Sequence, residues 1–114
     1  MGFHDDVNVK PMFLMTKAFL PVMQRAGKRS IVNTLISAVA GTEKKVLYCT
    51  SKGACHMLTS AIAIEYRAAG IRCNAVCPRF IRTPNGLREL DELRAQGVDV
   101  SEDDIVRLQG RICE

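Results

Sequence analysis

The chain has 114 residues, 47% hydrophobic and 25% charged, with a net charge of +4 spread along its length; these are the proportions of one small globular domain, long enough to bury a core. No basic run exceeds two residues, as at Lys28-Arg29, and no aromatic residues interleave with a basic stripe, so a nucleic-acid surface is not expected. No apolar run approaches the ~18 residues of a membrane span, and Met1-Gly2-Phe3-His4-Asp5-Asp6 has neither the apolar core of a signal peptide nor, with Asp6 at its sixth position, a myristoylation pattern.

Val7 to Arg25 reads as a helix. Val9, Met12, Phe13, Phe19, Leu20 and Met23 repeat near the helical period and give it a broad apolar face. Asp5 or Asp6 is suited to cap its start. Pro11 is tolerable in the first turn, whereas Pro21 is expected to kink the helix or end it early. Gly27-Lys28-Arg29 is a stop and a turn. Ser30 to Ile36 follows as a strand of near-continuous apolar character, the pattern of a buried parallel strand. Ser37 to Lys45 is a loop. A long helix is expected from about Val46 to Ala69, stopped by Gly70, and Ile71 to Cys77 is a second strand ended by Pro78. Leu87 to Gln96 reads as a short charged helix with a solvated face. Ser101-Glu102-Asp103-Asp104 resembles a capping box that opens a last helix reaching Gln109.

The five cysteines, Cys49, Cys55, Cys73, Cys77 and Cys113, form no C-x-x-C pair. Cys73 and Cys77 are separated by roughly 13 Å of strand, too far for a disulfide. Free thiols in a reducing cytoplasm are therefore expected. Neither His4 nor His56 has metal-ligand spacing to the other or to a cysteine, so no metal site is expected.

The middle of the chain is thus strand–helix–strand, an α/β arrangement. Such a crossover is nearly always right-handed and pairs its strands in parallel. Ligands of open α/β sheets sit beyond the carboxyl ends of the strands. Ser37 follows the end of the first strand, Tyr48 opens the crossover helix, and Pro78 to Thr83 follow the second strand. The topology brings all three to one edge of the sheet. Tyr48 and Lys52 are four residues apart, so they share a helix face. An ammonium beside a phenol stabilises the phenolate and brings the phenol from its ordinary pKa of ~10 towards the working range of an acid–base catalyst. With Ser37 eleven residues before Tyr48, the three side chains suit proton transfer in alcohol–carbonyl chemistry.

On these residues the sequence resembles the short-chain dehydrogenase/reductases. Tyr48-Cys49-Thr50-Ser51-Lys52 matches the family's Y-x-x-x-K. Gly70-Ile71-Arg72-Cys73-Asn74-Ala75-Val76-Cys77-Pro78 matches its G-I-R-x-N-x-x-x-P strand. Asn8-Val9 matches the start of its N-V-x-G helix, and Ile31-Val32-Asn33 with Ser37 its catalytic-serine strand. The match runs from about residue 7 to residue 84, and it implies that residues 1–114 are one partial domain, the catalytic half of a Rossmann-like, doubly wound parallel sheet. It implies that Tyr48 exchanges the proton of the substrate oxygen. Lys52 would assist it and bind the nicotinamide ribose, and Ser37 would hydrogen-bond the substrate oxygen. Asn8 would anchor a water that links Lys52 to solvent. Pro78, Ile81 and Thr83 would line the nicotinamide side. NAD or NADP would be the cofactor, an alcohol or ketone the substrate, and the helices from Val7 and Val46 the faces of a homo-oligomer.

The departures from the pattern are specific. The glycine-rich T-G-x-x-x-G-x-G loop that lets a backbone approach the pyrophosphate does not occur in these residues. By resemblance the chain starts about a third of the way into a family member, and Gln109 to Glu114 resembles the family's L-G-R-x-x-x-P-E segment cut short. Pro11 and Arg79 stand where the family has glycine, and the Ser37-to-Tyr48 spacing is a residue or two short. A non-catalytic oligomerisation or interaction module is the alternative these departures raise.

Overall fold

The structure is a computed structural model and describes residues 2–35, 46–78, 81–104 and 107. The chain divides into two compact units, Met1–Cys77 and Pro78–Glu114.

The first unit opens with an unbroken helical stretch. A turn of α-helix, Gly2–His4, runs into a π-helical turn, Asp5–Val9, and then into helix α1, Lys10–Ala26. In the π turn the Lys10 N–H donates to the Asp5 carbonyl, five residues back. Pro11 follows directly, in the first turn of α1. It has no N–H for the Val7 carbonyl, and its ring crowds that carbonyl, so an ordinary α-helical ladder cannot pass through this point. The helical stretch therefore starts earlier than the expected Val7, and Asp5 and Asp6 lie within it instead of capping it. Pro21 does not end α1, which continues to Ala26. Pro21 and Lys17 are both exposed, so water can serve the Lys17 carbonyl that the proline leaves without a donor.

Strand β1, Arg29–Thr34, follows the Gly27-Lys28 turn. Helix α2, Val46–Glu65, is succeeded by a 3₁₀ turn, Arg67–Ala69, and by strand β2, Ile71–Val76. Gly70 joins helix to strand with φ 73°, the left-handed conformation glycine adopts without a Cβ penalty. β1 and β2 pair in parallel, from Arg29 opposite Ile71 to Thr34 opposite Val76. This is the strand–helix–strand unit expected from the sequence.

Alternation along the strands sends Ile31, Asn33 and Leu35, with Ile71, Cys73 and Ala75, to the face that packs on α2. Leu35, Ile71 and Cys73 are buried there, and so are Cys55 and Ile62 of α2. Asn33 is buried in mid-strand, and its amide donates to Thr59 Oγ1 at 2.9 Å. Thr59 in turn donates to the Cys55 carbonyl at 2.8 Å. On the opposite face Val32 is 62% and Val76 49% exposed. The expectation of a strand buried on both faces is corrected accordingly, for the described residues place a helix against one side only.

In the second unit helix α3, Pro84–Ala95, starts three residues before the expected Leu87. Thr83 caps it, with Oγ1 accepting from the Gly86 N–H at 3.1 Å, and Pro84 occupies the first turn, where no N–H is needed. Its charged residues form exposed pairs, Arg88 with Glu92 and Arg94 with Asp91, while Leu90 is buried. The capping box is present: Ser101 Oγ accepts from the Asp104 N–H, and the Asp104 carboxylate accepts from the Ser101 N–H. The Ser101 hydroxyl is the leading cause that holds the Asp104 carboxyl below its ordinary range. The loop expected over Ser37–Lys45 and most of the helix expected to reach Gln109 fall outside the described residues.

Candidate active site

The first turns of α2 stand beside the carboxyl end of β1. Tyr48 and Lys52 point the same way from α2, with Lys52 Nζ 6.0 Å from the Tyr48 ring centroid. That is the outer limit of a cation–π contact. Lys52 Nζ also lies 3.5 Å from the Thr34 carbonyl oxygen at the end of β1, a long hydrogen bond. An ammonium has three N–H donors, so Lys52 retains capacity beyond that carbonyl. Tyr48 is half-buried, and the His4 ring is tilted against it at 5.7 Å between centroids.

Asn8 reaches the same place from the π turn. Its Nδ2 donates to Ser51 Oγ at 2.9 Å, and Ser51 Oγ donates to the Tyr48 carbonyl at 2.8 Å. The Cys55 thiol donates to the Asn8 main-chain carbonyl at 3.4 Å. Burial pushes the Cys55 thiol above its ordinary value, and the Lys52 charge and a main-chain hydrogen bond offset this in part. Burial does the same to Cys73.

The structure thus brings together Asn8, Tyr48, Lys52 and the end of β1. Ser37 and Arg79 lie outside the described residues. Pro78, Ile81 and Thr83 belong to the second unit, where Thr83 serves as the cap of α3 and Ile81 is exposed. Two residues enter the cluster without having been singled out for it, Ser51 and Cys55. Their signal was their spacing: they lie three and seven residues after Tyr48, the helical repeat of one buried stripe that Thr59 and Ile62 continue. Among the described residues no group of His, Cys, Asp or Glu could hold a metal ion, and no helix is long and apolar enough to cross a membrane. Cys49, Cys55, Cys73 and Cys77 are free thiols.

Tyr48 and Lys52 thus share one face of α2 at the carboxyl end of β1, with Asn8 held against that helix from the π turn. The family model for short chain dehydrogenases matches residues 5–93, and the chain belongs to that family. It is 38% identical over 114 residues to dehydrogenase/reductase SDR family member 6 of Danio rerio, covering 97% of this chain and 46% of that protein. It is 44% identical over 93 residues to 2-(R)-hydroxypropyl-CoM dehydrogenase of Xanthobacter autotrophicus, covering 79% of this chain and 37% of that one. The crystal structure of a variant actinorhodin polyketide ketoreductase with NADPH superposes with a TM-score of 0.72 at 28% identity, over 85% of this chain and 38% of the other. The chain therefore spans less than half the length of these relatives, and its α/β fold is part of a Rossmann-like one.

Proposed function

We propose that these residues form the proton-transfer half of a nicotinamide-dependent oxidoreductase acting on an alcohol–ketone pair. The observation that carries this reading is the placement of Tyr48 and Lys52 on one face of α2, with the Lys52 ammonium at the carboxyl end of β1. Tyr48 gives its phenolic proton to the carbonyl oxygen in reduction and takes the hydroxyl proton in oxidation. Lys52, beside it, stabilises the phenolate left behind. Ser37 hydrogen-bonds the same substrate oxygen and orients it. Asn8, held against α2 by Ser51 and Cys55, anchors a water on the path from Lys52 to solvent.

The cofactor, NAD or NADP, supplies the hydride in reduction and accepts it in oxidation. The spare donors of Lys52 fit the hydroxyls of its ribose, and the family resemblance assigns Pro78, Ile81 and Thr83 of the second unit to the nicotinamide side. Lys52 suits the nicotinamide end of the dinucleotide, and no glycine-rich pyrophosphate loop occurs among the 114 residues. The names of two relatives, a 2-hydroxypropyl dehydrogenase and a polyketide ketoreductase, support a secondary alcohol or its ketone as the substrate class. Free thiols in both strand and helix support a reducing, cytoplasmic location. Exposed Phe13, Met15 and Phe19 on α1, with Leu47, Met57 and Ile64 on α2, support association through these helices.

The test is turnover by the purified protein with reduced and oxidised nicotinamide cofactors against a panel of ketones and secondary alcohols. Tyr48→Phe is expected to lower kcat by ~10²–10⁴-fold, the usual contribution of a positioned acid or base. Turnover unchanged in that variant would remove Tyr48 from the chemistry.

A further inference from the structure

The buried stripe of α2 carries Ser51, Cys55 and Thr59 where an amphipathic helix usually carries large apolar side chains. Thr59 is used by Asn33 of the sheet. Ser51 and Cys55 both bond to Asn8, in two different ways. Ser51 accepts from the Asn8 side chain, and Cys55 donates to the Asn8 main chain. Both are fully buried, at 1% and 0% exposure, while Asn8 is half-buried, so each bond has its α2 end shielded from water.

Asn8 is in the π turn, where the helical ladder is interrupted on one side by the five-residue spacing and on the other by Pro11. A π turn inserts one extra residue and is intrinsically less favourable than continued α-helix. The turn therefore needs partners outside its own helix. Ser51 and Cys55, four residues apart on α2, supply one for each exposed function of Asn8. The consequence reaches Tyr48, because the hydroxyl that accepts from Asn8 also donates to the Tyr48 carbonyl.

We propose that Ser51 and Cys55 are positioning residues, a two-point clamp that docks the π turn at Asn8 onto α2 and holds Tyr48 in register with Lys52. The inference rests on the reading of Tyr48 as the proton-transfer group, and it assigns neither clamp residue to contact with substrate. Ser51 acts through its two hydrogen bonds and Cys55 through the carbonyl it caps. The chain has two tyrosines, Tyr48 and Tyr66. Labelling tyrosine with ¹³C at the ring Cζ therefore yields two resonances, with Tyr66 beyond the end of α2 as the internal control.

Ser51→Ala and Cys55→Ala are each expected to move the Tyr48 resonance by several line widths while Tyr66 stays in place. Cys55→Ser keeps a donor to the Asn8 carbonyl and is expected to return the resonance to its original position. A second measurement needs no variant: in the unaltered chain the Asn8 side-chain amide should exchange with water about tenfold more slowly than that of exposed Asn74. A Tyr48 resonance indifferent to both alanine variants at undiminished helicity overturns the clamp. So does an Asn8 amide that exchanges as fast as that of Asn74, which decides the matter if an alanine variant fails to fold. The two readings fail separately. Expected shifts without turnover keep the clamp and remove the reaction, and Tyr48-dependent turnover without shifts does the reverse.

Discussion

At the scale of single residues the buried thiols make a prediction with a sign. Burial raises the pKa of Cys55 and of Cys73 above the ordinary value of 9.0. In a window above that value the folded state holds thiol protons that the unfolded state has lost. Stability from these groups is therefore complete below pH 9.0 and falls as pH rises through the folded values. Chemical denaturation at a series of pH values is expected to show a fall above that point that is shallower in a Cys55→Ala/Cys73→Ala double variant. Alkylation gives an independent check, because exposed Cys77 and half-buried Cys49 should react before either buried thiol. An alkylation order led by Cys55 would contradict the buried environment. Tyr48, Lys52 and Asn8 were legible in the sequence because each belongs to a short motif with its own chemistry. Ser51 and Cys55 were not, since a serine or cysteine on a helix is ordinary until its partner is known, and that partner lies more than forty residues away (51 − 8 = 43).

At the scale of elements the junction between α2 and β2 is tightly constrained at Gly70. Gly70 adopts φ 73°, and a Cβ there would come 3.3 Å from the Lys28 backbone nitrogen. Its carbonyl accepts from the Arg29 N–H at 3.2 Å, which starts the parallel ladder. Gly70→Ala combines the left-handed penalty with that close approach, so a loss of about 1–2 kcal/mol is expected. Thermal melting reads it as a fall of several degrees, and an unchanged midpoint would place the strain elsewhere. Both strands and the long helix were foreseeable from apolar runs and from the glycine that separates helix from strand. The π turn was not, because one added residue hardly disturbs an apolar periodicity. Its only written hint is a proline four residues after Val7. Pro21 misled for the converse reason: a proline on an exposed helix face removes one hydrogen bond that water replaces, and apolar contacts of buried Thr16 and Leu20 are untouched.

At the scale of the whole molecule, the described apolar surface exceeds what one copy covers. Among the described residues a two-stranded sheet presents two edges of main-chain donors and acceptors. The sheet face opposite α2 adds Val32 and Val76, and the helices add Phe13, Phe19, Met57 and Ile64. Patches of this kind mark surfaces that meet other protein. The 114 residues produced by themselves are therefore expected to associate, with a sedimentation mass above that of one chain and a strong signal from an apolar-surface dye. Two sets of substitutions separate the surfaces. Val32→Lys with Val76→Lys should lower dye binding and aggregation if the sheet face drives association. Phe13→Glu with Phe19→Glu should convert discrete oligomers to smaller species if the helices do. Single charges on an exposed face cost little in stability, so a change in mass without loss of helicity reports the interface itself. A monodisperse monomer with a cooperative melt would show that the chain covers its own apolar surface, and association through these helices would then have to be withdrawn.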